Sequence, residues 1–489
     1  EWLLTQLATA RMGAILVCIN PAYRARELTH ALNLVQVKTL IVNPTVSRSD
    51  YLGILGSLLP ELVHRGPGAD LRAPLRSRVF PHLEHIVLAE SSTAPPERQA
   101  EAAALLRFED LLERDGTTPD EGDLSPEDTI NIQFTSGTTG SPKATALSSL
   151  TVVNNGRYVG KCIRLSPEDV INVCVPLYHC FGVVMGNLAA FNHGASVVYP
   201  ARVFSARKTL EVCEALRCTG LYGVPTMFSA ELNEPDFERF DLSSLRTGIM
   251  AGSNCPMDLM RRVTTRMNLS DLCIAYGQTE TGPVSFMSRI SDDLQLRCET
   301  VGRVMPNTEC KLVDDQGEVV GIGQPGELLT KGYLVGKYFE DDARTRESMT
   351  QDGFFITGDQ ATMDANGYLR IIGRKKDVVI RGGENLFPRE IEEVVQELEG
   401  VAQCQVVGVP DVKFGEELCA VVERTPSGTE TIDVEAVRAW VSSQVSHQKV
   451  PRYVLFVNSM DHFLTVTGKV QKHRMRDWAC AELDIEQPA

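Results

Sequence analysis

The residues best suited to chemistry lie in one run, Thr135-Ser136-Gly137-Thr138-Thr139-Gly140-Ser141-Pro142-Lys143. Glycines permit a tight turn, hydroxyls and backbone N–H groups supply donors, and the lysine brings a positive charge, which together let a loop hold phosphates. The run follows a segment in which Ile130, Ile132 and Phe134 alternate with Asn131 and Gln133, the pattern of a strand. Its spacing is not that of a G-x-x-x-x-G-K-[ST] loop. A Ser/Thr/Gly surface linker would have the same composition; an ordered run placed immediately after a strand favours the phosphate loop.

Other candidates are weaker taken singly. Glu280, in Tyr276-Gly277-Gln278-Thr279-Glu280, reads alone as a solvated carboxylate, and Thr357-Gly358-Asp359 as a turn. Gly373-Arg374-Lys375-Lys376-Asp377 reads as a charged linker of the kind found between domains, and Gly468-Lys469 as part of a charged tail. Their order changes this. With the phosphate run and Gly382-Gly383-Glu384-Asn385, they resemble, in register, the motifs of the adenylate-forming (AMP-binding) superfamily, which includes acyl-CoA synthetases, luciferases and the adenylation domains of peptide synthetases. The resemblance runs over essentially the whole chain. Asn20-Pro21-Ala22-Tyr23, Met250-Ala251-Gly252-Ser253 and Ser446-His447-Gln448-Lys449-Val450-Pro451-Arg452-Tyr453 are most similar to the medium-chain acyl-CoA synthetases, the mitochondrial "family member 2" group.

That resemblance implies a ligase working in two halves: a carboxylic acid and ATP·Mg²⁺ give acyl-AMP and pyrophosphate, and coenzyme A then displaces AMP. It assigns ATP to Thr135, Ser136, Gly137, Thr138, Thr139, Gly140, Ser141, Pro142 and Lys143, with Gly252, Tyr276, Gly277 and Thr279 beside the nucleotide. Glu280 is implied as the Mg²⁺ carboxylate, a hard donor that completes its shell with phosphate oxygens. Asp359 is implied as the acceptor for the ribose hydroxyls, and Arg374 as a second nucleotide contact. Lys469 is implied to bridge the acid and the α-phosphate, so that it, Glu280 and Thr138 are the catalytic group. Lys376 stands at the implied hinge, and Gly382 and Gly383 on the face used for thioester formation. His179, Gly248 and Ala251 are expected at the acyl pocket; for His179 a half-buried ring bonded to backbone is an equally good account. Rival readings are another acceptor, an aryl acid, or a degenerate acyl or nucleotide binder without catalysis.

Two departures bear on that last rival. Ala144 stands where relatives usually have glycine, and Ser149 where they have histidine. If the glycine serves a positive φ, Ala144 strains the loop by about 1 kcal/mol. The chain also opens at Glu1, within the first subdomain of the family pattern, so the N-terminal region is expected to be incomplete and a targeting peptide is not visible.

The elements that must position these groups follow an α/β pattern. Short apolar runs at Val37–Val42, His85–Ala89, Ile130–Phe134, Ile171–Val175, Ala195–Tyr199, Gly220–Tyr222, Leu245–Met250 and Leu272–Ala275 alternate with helical patterns, which predicts mainly parallel sheets. Glu1–Cys18 reads as an amphipathic helix running into a strand, and 71–118 as surface helix and loop. From Glu309, strand-and-turn pairs predict a small β-rich lobe. Pro388 opens a helix with Gly400 at its far end. The expected division is an N-terminal region 1–374, a hinge 375–377 and a smaller α+β lid domain 378–489 that moves. At 489 residues more than one domain is the default.

The formal net charge of −16 argues against a nucleic-acid partner. Thirteen scattered cysteines, with no CxxC pair, fit reduced thiols in a cytosolic or matrix compartment; the resemblance points to the mitochondrion, otherwise the cytoplasm. The longest apolar stretch, Phe181–Phe191, is too short to span a bilayer. The expected partners are small molecules alone: the acid, ATP and coenzyme A. Oligomeric state is left open.

Overall fold

The computed structural model describes residues 1–46, 49–63, 70–90, 93–112, 123–135, 142–253, 255–333, 336–382, 384–426, 428, 432–465 and 470–485. Its centre is a seven-stranded sheet in the order Ser196–Val198, Val170–Asn172, Gly220–Gly223, Thr247–Ala251, Asp271–Tyr276, Phe286–Met287 and Arg303–Val304. The first five strands run parallel, and the last two are each added by antiparallel pairing. Thr247–Ala251 is buried throughout and Asp271–Tyr276 nearly so, and their sequences are continuously apolar rather than alternating because helices cover both faces. Leu210, Leu221, Phe228, Ile249, Met260 and Leu272 belong to the core this creates.

A second sheet of four strands pairs Leu16–Cys18, Thr129–Thr135, Lys143–Ser148 and Lys337–Tyr338, so that the strand before the phosphate run and the strand after it form a hairpin. A parallel trio, Thr39–Val42, His85–Leu88 and Leu106–Arg107, lies under the N-terminal helices. The β-rich lobe is a four-stranded antiparallel sheet of Glu309–Val313, Gly326–Lys331, Phe355–Met363 and Leu369–Arg374. Its turns use Gly317 and Gly367, both at positive φ. Beyond it, Val379–Arg381, Glu384–Leu386, Val401–Asp411, Gly415–Arg424 and Tyr453–Val457 form a further sheet with hydrophobic clusters of its own.

Three expectations need correction. Trp2–Met12 is helical, but it is not amphipathic toward the core: Leu4, Leu7 and Met12 are exposed, and the buried residue is Gln6. The Gln6 amide donates to the Val183 carbonyl and accepts from Asn187 Nδ2, so polar satisfaction rather than apolar burial seats this helix. The segment from Leu71 is not all surface, since Leu75, Phe80 and Leu83 pack with Leu28 and Leu52 in one core. The helix opened by Pro388 stops at Gln396, short of Gly400.

The apolar stretch from Phe181 forms a buried π-helix, Phe181–Leu188, packed on the Ser149–Cys162 helix. Its Phe181 ring stacks on Tyr222 at 6.1 Å. π-Helical turns are rare and recur at functional sites. This one begins two residues after His179.

Candidate active site

Tyr276 ends a parallel strand, and Gly277 turns the chain sharply: a Cβ there would collide with the Pro283 carbonyl. The turn aims three side chains, Tyr276 and Gln278 at the β-rich lobe and Glu280 at Thr135 and Tyr338 of the hairpin sheet. Tyr276 OH donates to Asp359 Oδ2 at 2.5 Å, and Gln278 Nε2 donates to the same oxygen at 3.1 Å and to the Thr357 carbonyl at 2.7 Å. The Arg374 guanidinium reaches the other oxygen, Oδ1, through Nε at 3.1 Å. Asp359 and Arg374 are opposite one another in the Phe355–Met363/Leu369–Arg374 pairing, so strand register sets this ion pair. Asp359 is 3% exposed, a buried carboxylate whose two oxygens are held by a phenol, an amide and a guanidinium. Burial, then the neighbouring Asp359 charge, raise the Tyr276 phenol well above its usual range, so it remains a donor at neutral pH.

The third side chain is Glu280, in the short Thr279–Thr281 turn and 6% exposed. Its Oε1 accepts from Tyr338 OH at 2.9 Å and from Thr135 Oγ1 at 3.3 Å. Tyr338 lies on the strand paired with Lys143–Ser148, and Lys143 Nζ sits 5.2 Å above its ring. The phenol of Tyr338 is also raised, by burial and then by Glu280. Thr135 and Lys143 are partners across the hairpin. Thr135 is thus bonded to Glu280 directly, and Lys143 is linked to it through Tyr338.

Ser136, Gly137, Thr138, Thr139, Gly140 and Ser141, together with Gly383 and Lys469, lie outside the described residues. Pro142 is half-buried at the hairpin's re-entry. Ala144 is an ordinary strand residue opposite Phe134, 3% exposed, packed with Val35 and Ile132, and its carbonyl accepts from Phe339 N–H. It is not among the positive-φ residues, so the expected loop strain is absent. The reading failed because it extended the loop two residues too far.

The half-buried ring of His179 accepts the Phe181 N–H at Nδ1, 3.1 Å away. Cys180 Sγ then lies 3.8 Å from the hydroxyl of buried Thr279, joining the π-helix to the Glu280 turn. Gly248 is a close approach, since a Cβ would strike the Leu221 carbonyl, and Gly252 needs its φ of +92°. Ala251 is buried at the end of the same strand. Gly382, at φ +61°, packs beside the Phe414 ring, and Lys376 is exposed on the turn Lys375–Asp377; neither touches the Asp359 or Glu280 groups.

Two side chains escaped the sequence reading. Gln278 sat inside a recognised motif, yet nothing in the spacing says that its amide holds Asp359. Tyr338 belongs to a two-residue strand with no motif around it.

The Tyr276–Thr281 segment thus joins a buried, cation-paired carboxylate, Asp359, to a hydroxyl-bonded one, Glu280, that holds the end of the first hairpin strand at Thr135. Residues 1–339 match the model of the AMP-binding enzyme family, and residues 390–469 that of the AMP-binding enzyme C-terminal domain. The chain belongs to the AMP-binding enzyme family. The medium-chain acyl-CoA ligase ACSF2, mitochondrial, of Bos taurus is 41% identical to this AMP-binding enzyme over 482 residues, which is 97% of this chain and 77% of that one. YngI of Bacillus subtilis (strain 168) is 40% identical over 485 residues, 98% of this chain and 85% of that one. The crystal structure of the anthranilate CoA ligase AuaEII in complex with anthranoyl-AMP superposes with a TM-score of 0.84 at 25% identity, covering 99% of this chain and 86% of the other. Among the described residues no helix is long and apolar enough to cross a membrane.

Proposed function

We infer that the acid activated by this ATP-dependent, AMP-forming acid:CoA ligase is a medium-chain fatty acid. The observation that carries this is the 41% identity, along 97% of the chain, to a medium-chain acyl-CoA ligase. The acid's carboxylate attacks the α-phosphorus of ATP and pyrophosphate leaves; the thiol of coenzyme A then attacks the acyl carbonyl and AMP leaves. No protein nucleophile is needed.

In this reading Asp359 accepts the ribose hydroxyls. It is already buried and fixed by Tyr276, Gln278 and Arg374, so little side-chain ordering remains when the nucleotide arrives. The Thr135–Lys143 hairpin holds the phosphates, and Thr138 and Lys469 supply donors and charge where negative charge develops. Gly248, Ala251, Gly252 and His179 border the acyl group and base. Mg²⁺ fits Glu280: among the described residues this buried carboxylate has hydroxyl partners rather than a cation, so an oxygen is available to a hard ion. When bound there, Mg²⁺ offsets charge on the phosphates. Tyr338 and Thr135 aim the carboxylate at the loop.

The unit after the hinge residue Lys376 acts as the lid, carrying Lys469 for the first half-reaction and Gly382 and Gly383 for the second. The exposed turn Lys375–Asp377, between a strand of the β-rich lobe and the next sheet, supports that division. The likeness to ACSF2 supports a mitochondrial location, which imaging of a tagged protein tests.

Pyrophosphate release with octanoate, palmitate, acetate and cinnamate tests the substrate. The highest kcat/KM is expected with octanoate, and a higher value with any of the other three overturns it. Single-turnover kinetics on Lys376→Pro test the hinge: adenylation survives, and transfer from synthetic acyl-AMP to coenzyme A slows.

A further inference from the structure

The Ser149–Cys162 helix begins beside the Glu280 turn and ends about 20 Å away, at 1.5 Å per residue. Its first half is pinned to the active-site segment, where Asn155 exchanges hydrogen bonds with the Val284 backbone. Its far end opens on a cleft of about 290 Å³ lined by Tyr158, Lys161, Arg164, Arg289, Ser291 and Pro306, among others.

The charge in this cleft is unbalanced. Lys161 and Arg164 are exposed at the end of the helix and on the turn after it, Arg289 approaches from the other wall, and Arg157, exposed one helical turn back, stands outside the lining. Among the described residues, none of these four cations has a carboxylate partner within ion-pairing distance, in a chain whose net charge is −16. Helix capping does not explain them. The carbonyls of Val159, Gly160 and Lys161 accept backbone N–H groups, and the Arg246 guanidinium takes those of Ile163 and Arg164. Arg289 is held in place by the carbonyls of Met287 and Val304, which fix its direction without cancelling its charge.

Tyr158 stands on one side of the cleft, its hydroxyl fixed by a small polar network. Asn307 Nδ2 bridges Tyr158 OH, at 3.2 Å, and Tyr333 OH, at 2.6 Å. Lys161 Nζ lies 5.2 Å over the Tyr158 ring. Convergent cations beside the fixed Tyr158 side chain, in a cleft able to hold a small anion, suit a phosphate monoester: a guanidinium offers it paired N–H donors and an ammonium a compact charge.

We propose that this cleft is a second ligand site, taking a phosphate-monoester group at the end of the helix opposite the adenylation centre. Two sources present that chemistry, a free phosphomonoester and the headgroup of phosphatidic acid in a membrane.

The test is binding of glycerol 3-phosphate by calorimetry at low ionic strength, and co-sedimentation with vesicles of phosphatidylcholine containing phosphatidic acid. Each is measured on the parent and on Lys161→Gln/Arg164→Gln, which leaves Arg289 and its carbonyl contacts intact. Thermal melting and pyrophosphate release show that the variant is folded and active. The expected result is saturable binding of one probe by the parent and at least tenfold weaker binding by the variant. Calorimetric binding identifies a free ligand; co-sedimentation alone identifies a lipid headgroup. No binding of either probe by the parent, or equal binding by parent and variant, overturns the proposal. Lys311→Gln, which removes a surface cation paired with Asp352, serves as the control for loss of charge alone and keeps the parent's affinity.

Discussion

The carboxyl groups of Asp359 and Glu231 are both withdrawn from water, 3% and 1% exposed, in opposite surroundings. Asp359 meets a phenol, an amide and a guanidinium at the edge of the β-rich lobe. Glu231, on the Pro225–Leu232 helix, has no partner for either oxygen among the described residues, and Asn172 Oδ1 and Thr209 Oγ1 are likewise unpartnered. Burial raises the Glu231 carboxyl well above its ordinary value. The first region is organised for a charge and the second tolerates only a neutral acid. Burial alone therefore does not mark an active site; the donors around the buried group do.

The strongest break in this comparison is Asp359→Ala. Losing a charged acceptor should cost about 1.5–3 kcal/mol of ATP binding, one to two decades in Kd by calorimetry, with acid affinity unchanged. Equal ATP affinity in the variant would remove Asp359 from the nucleotide site.

Glu231→Gln sharpens the other side through pH. The unfolded chain ionises this carboxyl above about pH 4.5 while the folded chain keeps it neutral, so its stabilising contribution is full at lower pH. That contribution is lost as pH rises toward the raised folded value, at up to about 1.4 kcal/mol per pH unit. The amide variant has no such loss. The parent's melting temperature should fall relative to the variant's between pH 5 and pH 8, and a constant difference would mean that Glu231 is ionised when folded.

Tyr276→Phe removes one of the donors on Asp359 and leaves Gln278 and Arg374. It should weaken ATP by about 0.5–1.5 kcal/mol, roughly two- to tenfold, a smaller loss than that from removing the carboxylate itself. Ala144→Gly should have the least effect on chemistry: no gain in pyrophosphate release, and a stability loss of about 0.5–1 kcal/mol because glycine weakens a strand. A faster glycine variant would restore the strained-loop account.

Much of the α/β framework was legible because its central strands are buried on both faces and so read as unbroken apolar runs. Thr247–Ala251 and Asp271–Tyr276 are examples. The motif at Tyr276–Glu280 was legible as a segment, but the side-chain geometry was not. That Arg374 meets Asp359 depends on the register of the Phe355–Met363/Leu369–Arg374 pair, and that Gln278 joins them depends on a contact between segments far apart in sequence. Tyr338 was invisible for the same reason, since its position comes from pairing with Thr145. Ala144 was misread because a residue after a Gly-rich run looks like loop until its partner across the hairpin is known. Trp2–Met12 was misread because leucine periodicity was taken as an inward face, whereas the contact that seats it is an amide.

The π-helix Phe181–Leu188 sets a reading frame for the segment that contains it. Its turn is wider than an α-turn and accommodates an added residue without shifting what lies on either side. Deleting one residue between Val183 and Gly186 would let the backbone close as α-helix at no cost in hydrogen bonds. Every side chain beyond the deletion would then turn by about 100° about the axis relative to His179. Asn187, which Gln6 and Tyr199 hold from two sides, could not follow. The chain would have to choose between the packing of this segment on the Ser149–Cys162 helix and the clasp on its first helix.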